Sequence, residues 1–512
     1  MSTPSVPSLD AAALPRASPP AREVPRFGRA ILACALGFGV LAECLFDGHA
    51  LGISFPLAFG ALLGGLLWVG GREGRQQARA NLWLAAPMLF FAGAVAVRES
   101  PVLTALNVLA ALGLLLLFTE AYAGEQVHAY GLPRYFSATV RALGGWLSRP
   151  RAVVATTVDL RSARDWAAPR ARPVARGLAL AVPVLFLFGG LLSAADSRFE
   201  ALLGRLLSSG AQGGIATAVG RALWVLGGAF IAAGALAHGL RRKALAAPER
   251  RAALPGGLGF VEGATLLVCV DLLFGLFGVI QFAYLFGGSA HLAEADLTYA
   301  TYARHGFFEL LAVAVLSLGL IHALVHVVAR GALAQRRLFN ALCTAMVACV
   351  VVILVSAILR MSLYEEAYGY TRLRVYTHVF MLTLIPLLSW RAITLWTRVD
   401  RFALGLFAAG LVCVGALDVL NPDAFIASRN LARGAVTGTV DVGYLASLSS
   451  DALPTLGQAL ADGRLGGQAE ALREALWQGE ARPSTDDASW PAFHLGRHRA
   501  RRAFPELTRG CP

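Results

Sequence analysis

The apolar residues of this chain fall into runs of about 17–27 residues, most of them separated by short charged segments. Runs of that length leave few folds open. A hydrocarbon core about 30 Å thick needs about 20 helical residues to cross it. A backbone crossing it must satisfy its own hydrogen bonds, which a helix does within one segment. Composition agrees: 56% of the 512 residues are hydrophobic and 15% charged, against about 45–50% and about 25% in soluble domains. The expected fold class is therefore all-α integral membrane, with about eleven transmembrane helices. The runs predict spans over 27–46, 52–70, 81–97, 102–118, 177–195, 219–239, 260–286, 305–329, 338–359, 375–396 and 402–420.

Basic residues orient the set, because segments that stay in the cytoplasm retain Arg and Lys. With the N-terminus inside, the inner segments carry 27 basic residues against 9 acidic ones, and the outer loops about eight basic residues. Residues 1–26 hold six prolines and no apolar periodicity, and are expected to form a disordered cytoplasmic leader. The first apolar run lacks a small-residue cleavage exit, so it is expected to stay as a span rather than leave as a signal peptide. Spans 1–4 then occupy 27–118, a basic cytoplasmic segment 119–176, and spans 5–11 residues 177–420. An odd number of spans places 421–512 outside, as a small helical tail with ten basic and ten acidic residues. Short helices are expected there after Pro422, from Asp441, near Ser450 or Asp451, over 468–478 and over 490–503. Asn, Asp and Ser at such starts accept first-turn N–H bonds. Segment 119–176, with nine arginines and two tryptophans among apolar residues, suits either a basic anchor or an interfacial helix on anionic lipid.

Several functions are excluded. The basic residues are almost all arginine, Lys243 being the only lysine, and no soluble module carries a basic face, so no nucleic-acid partner is expected. The seven cysteines show no CxxC or Cys/His spacing, so neither a disulfide framework nor a zinc site is indicated. The chain lacks a GxSxG elbow, a phosphate loop, an EF-hand and a dinucleotide fingerprint. No catalytic residue, metal or cofactor is assigned.

The candidate functional residues are polar groups in or beside apolar runs. Asp271 sits mid-span in LLVCVDLLFGLFGVIQF, where an ionised carboxylate costs about 2.5–3.5 kcal/mol. It reads either as an ion or proton site or as a hydrogen-bonded tie between helices. His305 and Glu309 are four apart and share a face. His322 and His326 do the same, but Ala323 stands where a metalloprotease motif needs glutamate and Arg330 follows on the same face. The densest group spans the outer side between spans 7 and 10. Seven of the eleven tyrosines lie there, including Tyr364, Tyr368, Tyr370 and Tyr376, interleaved with Arg360, Glu365, Glu366, Arg372, Arg374 and His378. An interfacial aromatic belt accounts for some of these. A polar pocket or a seat for the tail accounts for their clustering, with Arg429 or Arg433 expected near the loop's acids.

The ordered motifs QFAYLFGG, LTYATYARHGFFEL, YGYTRLRVYTHVF, NPDAFIASRN and VDVGYLASLSSDALPTL resemble the bacterial membrane family of unknown function numbered 4173, or its sister numbered 4153, over roughly 177–456. The resemblance implies a polytopic bacterial inner-membrane protein and carries no activity or catalytic residue. Membrane glycosyltransferases that use lipid-linked sugars have a similar layout, with acids in the first outer loop, as Glu43 and Asp47 are here. Theirs is a large loop, whereas this one has about five residues. Three functions follow in order of expectation: a non-enzymatic envelope scaffold or signalling protein with an envelope protein partner, an ion- or proton-coupled transporter using Asp271, and a lipid-linked transferase.

Overall fold

The computed structural model describes residues 28–72, 81–122, 126–157, 215–241, 257–286, 307–397, 401–478 and 489–505, with a few isolated positions between 188 and 201. Every regular element among them is helical. The leader 1–26, the span expected over 177–195, and His305 lie outside the described residues.

Among the described residues, nine helices are long and apolar enough to cross a membrane. They are α1 (Gly28–Phe46), α2 (Ser54–Arg72), α4 (Pro101–Ala121), α6 (Ile215–Gly239), α7 (Phe260–Phe286), α8 (Phe307–Val327), α9 (Leu333–Tyr368), α10 (Arg372–Trp396) and α11 (Phe402–Leu420). The span predicted over 81–97 contains a 3-10 turn followed by the ten-residue α3 (Ala85–Ala94), together an apolar helix over Asn81–Ala94 that is shorter than the nine. The basic segment after α4 contains the 26-residue helix α5 (Leu132–Thr157). Its apolar residues recur at helical spacing, while its arginines keep mean hydropathy below that of a span. Pro386 and the glycines of α2 do not interrupt their helices.

The helices form two packed groups. In the first, α1–α6 share a core that includes Ile31, Leu66, Met88, Phe118 and Leu236. Apolar surface cannot drive helices together in lipid, so close approach through small residues must do so. A Cβ built on Gly39 of α1 would lie 2.2 Å from the Val225 carbonyl of α6. Helix α5 lies across the ends of this group. Pro150 has no N–H for the Trp146 carbonyl, and that oxygen instead meets Gly234 of α6, whose built Cβ would be 2.2 Å away. Trp146 Nε1 donates to Thr119 Oγ1 at 3.1 Å. In the second group, α7–α11 pack around Phe339, Met346, Ile353, Met381 and Leu388. Phe407 of α11 stacks on Tyr135 of α5 and meets Trp83 edge-on, so α11 touches both groups.

The tail contains α12 (Pro422–Thr437), α13 (Val442–Ala446), α14 (Leu453–Ala461), α15 (Ala469–Gln478) and α16 (Leu495–Ala503), all at the expected positions. Its core of Ile426, Leu445, Leu453, Leu456, Leu472 and Leu476 also takes in Val375 of α10. Asp441 caps α13 by accepting from the Tyr444 N–H at 2.9 Å. Asn421 caps nothing with its side chain; it turns the chain from α11 into α12 with φ +53°.

Candidate functional site

Helix α9, at 36 residues, extends about 54 Å, well beyond a ~30 Å core. Arg360–Tyr368 are therefore its last turns and not part of a loop. The helix stops at Gly369, whose φ of +81° is open to glycine. Only residues 369–371 separate it from α10, and the tail is built around this turn.

Asn430 of α12 accepts from the Tyr370 N–H at 2.7 Å and donates to its carbonyl at 2.9 Å. Arg433 donates to the carbonyls of Glu366 and Ala367, two of the acceptors left over at a helix end. Arg372 grips Asp423 with two bonds, Nε–Oδ1 at 2.9 Å and Nη2–Oδ2 at 2.8 Å, the fork geometry that suits a carboxylate. Its backbone N–H donates to the Tyr444 hydroxyl at 2.9 Å. Asp423 is 1% exposed and also accepts from the Ser449 N–H at 2.9 Å. Burial alone would raise its proton affinity, but the hydrogen bonds from Arg372 and Ser449 and the Arg372 charge together hold it below the usual carboxylate range.

A second seat joins the tail to the first helix group. Asp451 accepts from the Glu99 N–H at 2.9 Å, and the Leu495 N–H donates to the Ala96 carbonyl at 2.8 Å. Ile53 N–H donates to the Phe493 carbonyl at 2.9 Å, and Arg497 Nη2 to the Leu51 carbonyl at 2.6 Å. The tail therefore bonds to the α1–α2 and α3–α4 connections and to the α9–α10 turn, reaching both helix groups on one face.

This second seat holds two titrating groups with opposite signs. Burial pushes Asp451 up to about 6 from 3.8, opposed chiefly by the Glu99 N–H bond and the Arg98 charge. Burial, with the Arg497 charge beside it, pushes His494 down to about 4 from 6.5. His494 is a neutral imidazole in this arrangement. Its Nδ1 accepts from the Arg497 N–H at 3.3 Å, leaving Nε2–H to face Glu99 Oε2, also at 3.3 Å. The Asp451 contribution is present below pH 3.8 and lost as pH rises through 6. The His494 contribution is present above pH 6.5 and lost as pH falls through 4. The two oppose each other across pH 4–6.5. Asp451→Asn is expected to leave tail docking that strengthens as pH rises from 4 to 6.5, and His494→Gln docking that weakens over the same range. Limited proteolysis of the tail at stepped pH measures both. Parallel profiles in the two variants would contradict the assignment.

The candidate residues are thus only partly gathered. Tyr370 and Arg372 lie in the seat, where Tyr370 packs edge-on against Phe425. Arg374 lies over the Tyr364 ring at 4.1 Å and donates to the Gly369 carbonyl. Glu365 faces His378 at 3.3 Å, and among the described residues neither Glu365 nor Glu366 pairs with an arginine side chain. Arg433 does lie near these acids, bonding the Glu366 carbonyl at 3.1 Å, but it takes no carboxylate. Arg433 takes backbone carbonyls and Arg429 lies over Phe425, because both acids project from the flank of α9 while its end carbonyls face α12. Arg360 reaches Gln281 of α7 at 2.8 Å. Glu309 is exposed in the first turn of α8, apart from the seat. Asp271 stands on α7 with both carboxylate oxygens buried and unbonded.

Buried charged groups also escaped the sequence reading, Glu120 and Arg391 among them. Glu120, at the end of α4, is fully buried, with His238 at 2.6 Å, Arg241, and Arg141 at 3.2 Å on its carboxylate. Arg391 of α10 is 0% exposed, with its three guanidinium nitrogens unbonded and its charge 4.6 Å above the Phe402 ring. Glu120 lies 118 residues from His238, and nothing local marks such a pair.

A chain whose described elements are all helical, with these nine apolar helices and a tail folded onto their connections, is a polytopic membrane protein. It belongs to the family described as domain of unknown function DUF4153, whose model matches residues 85–459. The match begins at α3, about 90 residues before the stretch that carried the sequence resemblance. Comparison with curated proteins and with solved structures gives no match.

Proposed function

We propose that this protein is a non-enzymatic envelope scaffold or signalling protein of the bacterial inner membrane, whose extracytoplasmic tail clamps two helix groups together. The supporting observation is the tail's bonding to three separate inter-helix connections, through Arg372–Asp423 on one group and Asp451–Glu99 on the other. A carrier must move its helix groups against each other to alternate access, and a tail fastened to both opposes that motion. The basic-residue bias supports an N-in, C-out arrangement, with about eleven spans once α3 and 177–195 are counted. Reporter fusions after Gly259 and Leu338 are expected to report cytoplasm, and fusions after Thr455 periplasm. A cytoplasmic signal at Thr455 would overturn the arrangement.

The second reading, a proton-coupled carrier, draws on the unbonded Asp271 carboxylate. Liposomes holding the purified protein and a pH-sensitive dye separate the two. The scaffold reading expects the same proton leak from wild type and Asp271→Asn. A leak abolished by that substitution would replace the scaffold with the carrier.

A further inference from the structure

At the face opposite the tail, α5 roofs a cleft of about 300 Å³. Its wall is built from Arg141, Gly145, Ser148 and Arg149 of α5, closed by Glu120 at the end of α4 and by His238 and Arg241 at the end of α6. The spacing i, i+4, i+7, i+8 puts the four α5 residues on one side of that helix. Phe136, Val140, Leu143, Leu147 and Val154, all exposed and Phe136 the most at 75%, follow helical spacing along the other side. A helix with such a stripe, basic residues opposite it and too little hydropathy to cross lies in the headgroup layer. The cleft therefore sits at the level of lipid phosphates.

The wall carries three guanidinium groups and one carboxylate. The carboxylate is engaged by His238, Arg241 and Arg141, and Arg241 also bonds the His238 carbonyl that ends α6. Those contacts suffice to tie the helix ends together. Arg149 is surplus to them: it is half-buried, its Nε is buried without a hydrogen-bond partner, and it faces the same cleft. A second planar fork beside Arg141 suits an oxyanion that takes paired N–H bonds. At about 30 Å³ per water, the volume admits a phosphate group with its substituent.

We propose that this cleft binds a phosphate-bearing anion, held by Arg149 and Arg141. Two sources share that chemistry: the headgroup of an anionic phospholipid, and a free phosphate compound reaching the cleft from the side of α5 away from its apolar stripe.

The test uses the full chain. The thermal unfolding midpoint is followed in detergent with added inorganic phosphate or pyrophosphate, and in nanodiscs of phosphatidylcholine with and without phosphatidylglycerol. Wild type is expected to rise by several degrees in at least one arm, and Arg149→Met to lose that rise. Phosphate also stabilises folded proteins by exclusion from their surfaces, so the difference between wild type and variant is the reading. A rise confined to phosphatidylglycerol identifies a lipid, and one confined to soluble phosphate a free compound. Should Arg149→Met fail to fold, Arg141→Gln, at a side chain 43% exposed, serves in its place. No rise in either arm, or a rise that survives the substitution, overturns the proposal.

Discussion

Asp423→Ala is expected to release the tail from the helix bundle. The substitution strips Arg372 of both its carboxylate bonds and leaves the Ser449 N–H without its acceptor. Truncating one partner of a buried, hydrogen-bonded ion pair costs about 2–5 kcal/mol, and because the Arg372 side chain is 31% exposed and can rehydrate, a loss near the lower end of that range is expected. The tail is a unit of fewer than 100 residues whose core is shared with Val375 of the bundle, and a core that small leaves little stability in reserve. A loss of that size therefore separates tail from bundle. Cysteine pairs between 364–368 and 426–434 are expected to cross-link in wild-type membranes and to stop doing so in the variant, while protease cutting around Tyr364–Arg374 increases. Asp423→Asn keeps one acceptor and should retain part of the protection. If Asp423→Ala protects the turn as well as wild type does, the Arg372 fork does not hold the tail.

Glu120→Ala is expected to have a comparable effect at the opposite face. It leaves His238 and Arg241 buried around a missing carboxylate, and removing one partner of a buried charge cluster costs about 3–5 kcal/mol. Glu120→Gln keeps the shape and some hydrogen bonds, so a smaller loss is expected. Gly145→Ala attacks the same place from α5, since its new methyl would lie 1.9 Å from His238 Nδ1 and would push α5 off α6. The midpoint of thermal unfolding in detergent should fall in the order Glu120→Gln, then Glu120→Ala. A Glu120→Ala midpoint equal to wild type would show the cluster to be water-filled and without structural weight.

Both effects lie where local pattern has least to say. The apolar runs reported the spans because a bilayer sets a minimum length for each, and run length is a local property. The tail helices were legible for a similar reason: Pro422 and Asp441 start helices by their own local chemistry. The run over 81–97 is helical as expected, but carries no sign that its first residues turn as 3-10 and leave α3 shorter than its neighbours. The end of α9 was misread because interface tyrosines and charges suggest a loop, whereas only Gly369 stops the helix. Among the site residues, the cluster around Arg372 was visible as an unusual density of Tyr, Arg and Glu. Its partners were not, because Arg372 chose Asp423, 51 residues away, over the nearby Glu365 and Glu366. The two glutamates sit on the flank of α9, and Asp423 sits in the first turn of α12, aimed at the start of α10.

What the amino-acid sequence determined by itself is the solvent: runs near 20 apolar residues must enter lipid as helices, and a neutral segment of short capped helices must stay out of it. Tertiary structure alone decided how the charges pair. Helix packing brought Glu120 to His238 and the tail to three connections, since a buried charge is stable only where distant chain segments converge on it, and that convergence is a property of how helices stack rather than of any stretch of residues.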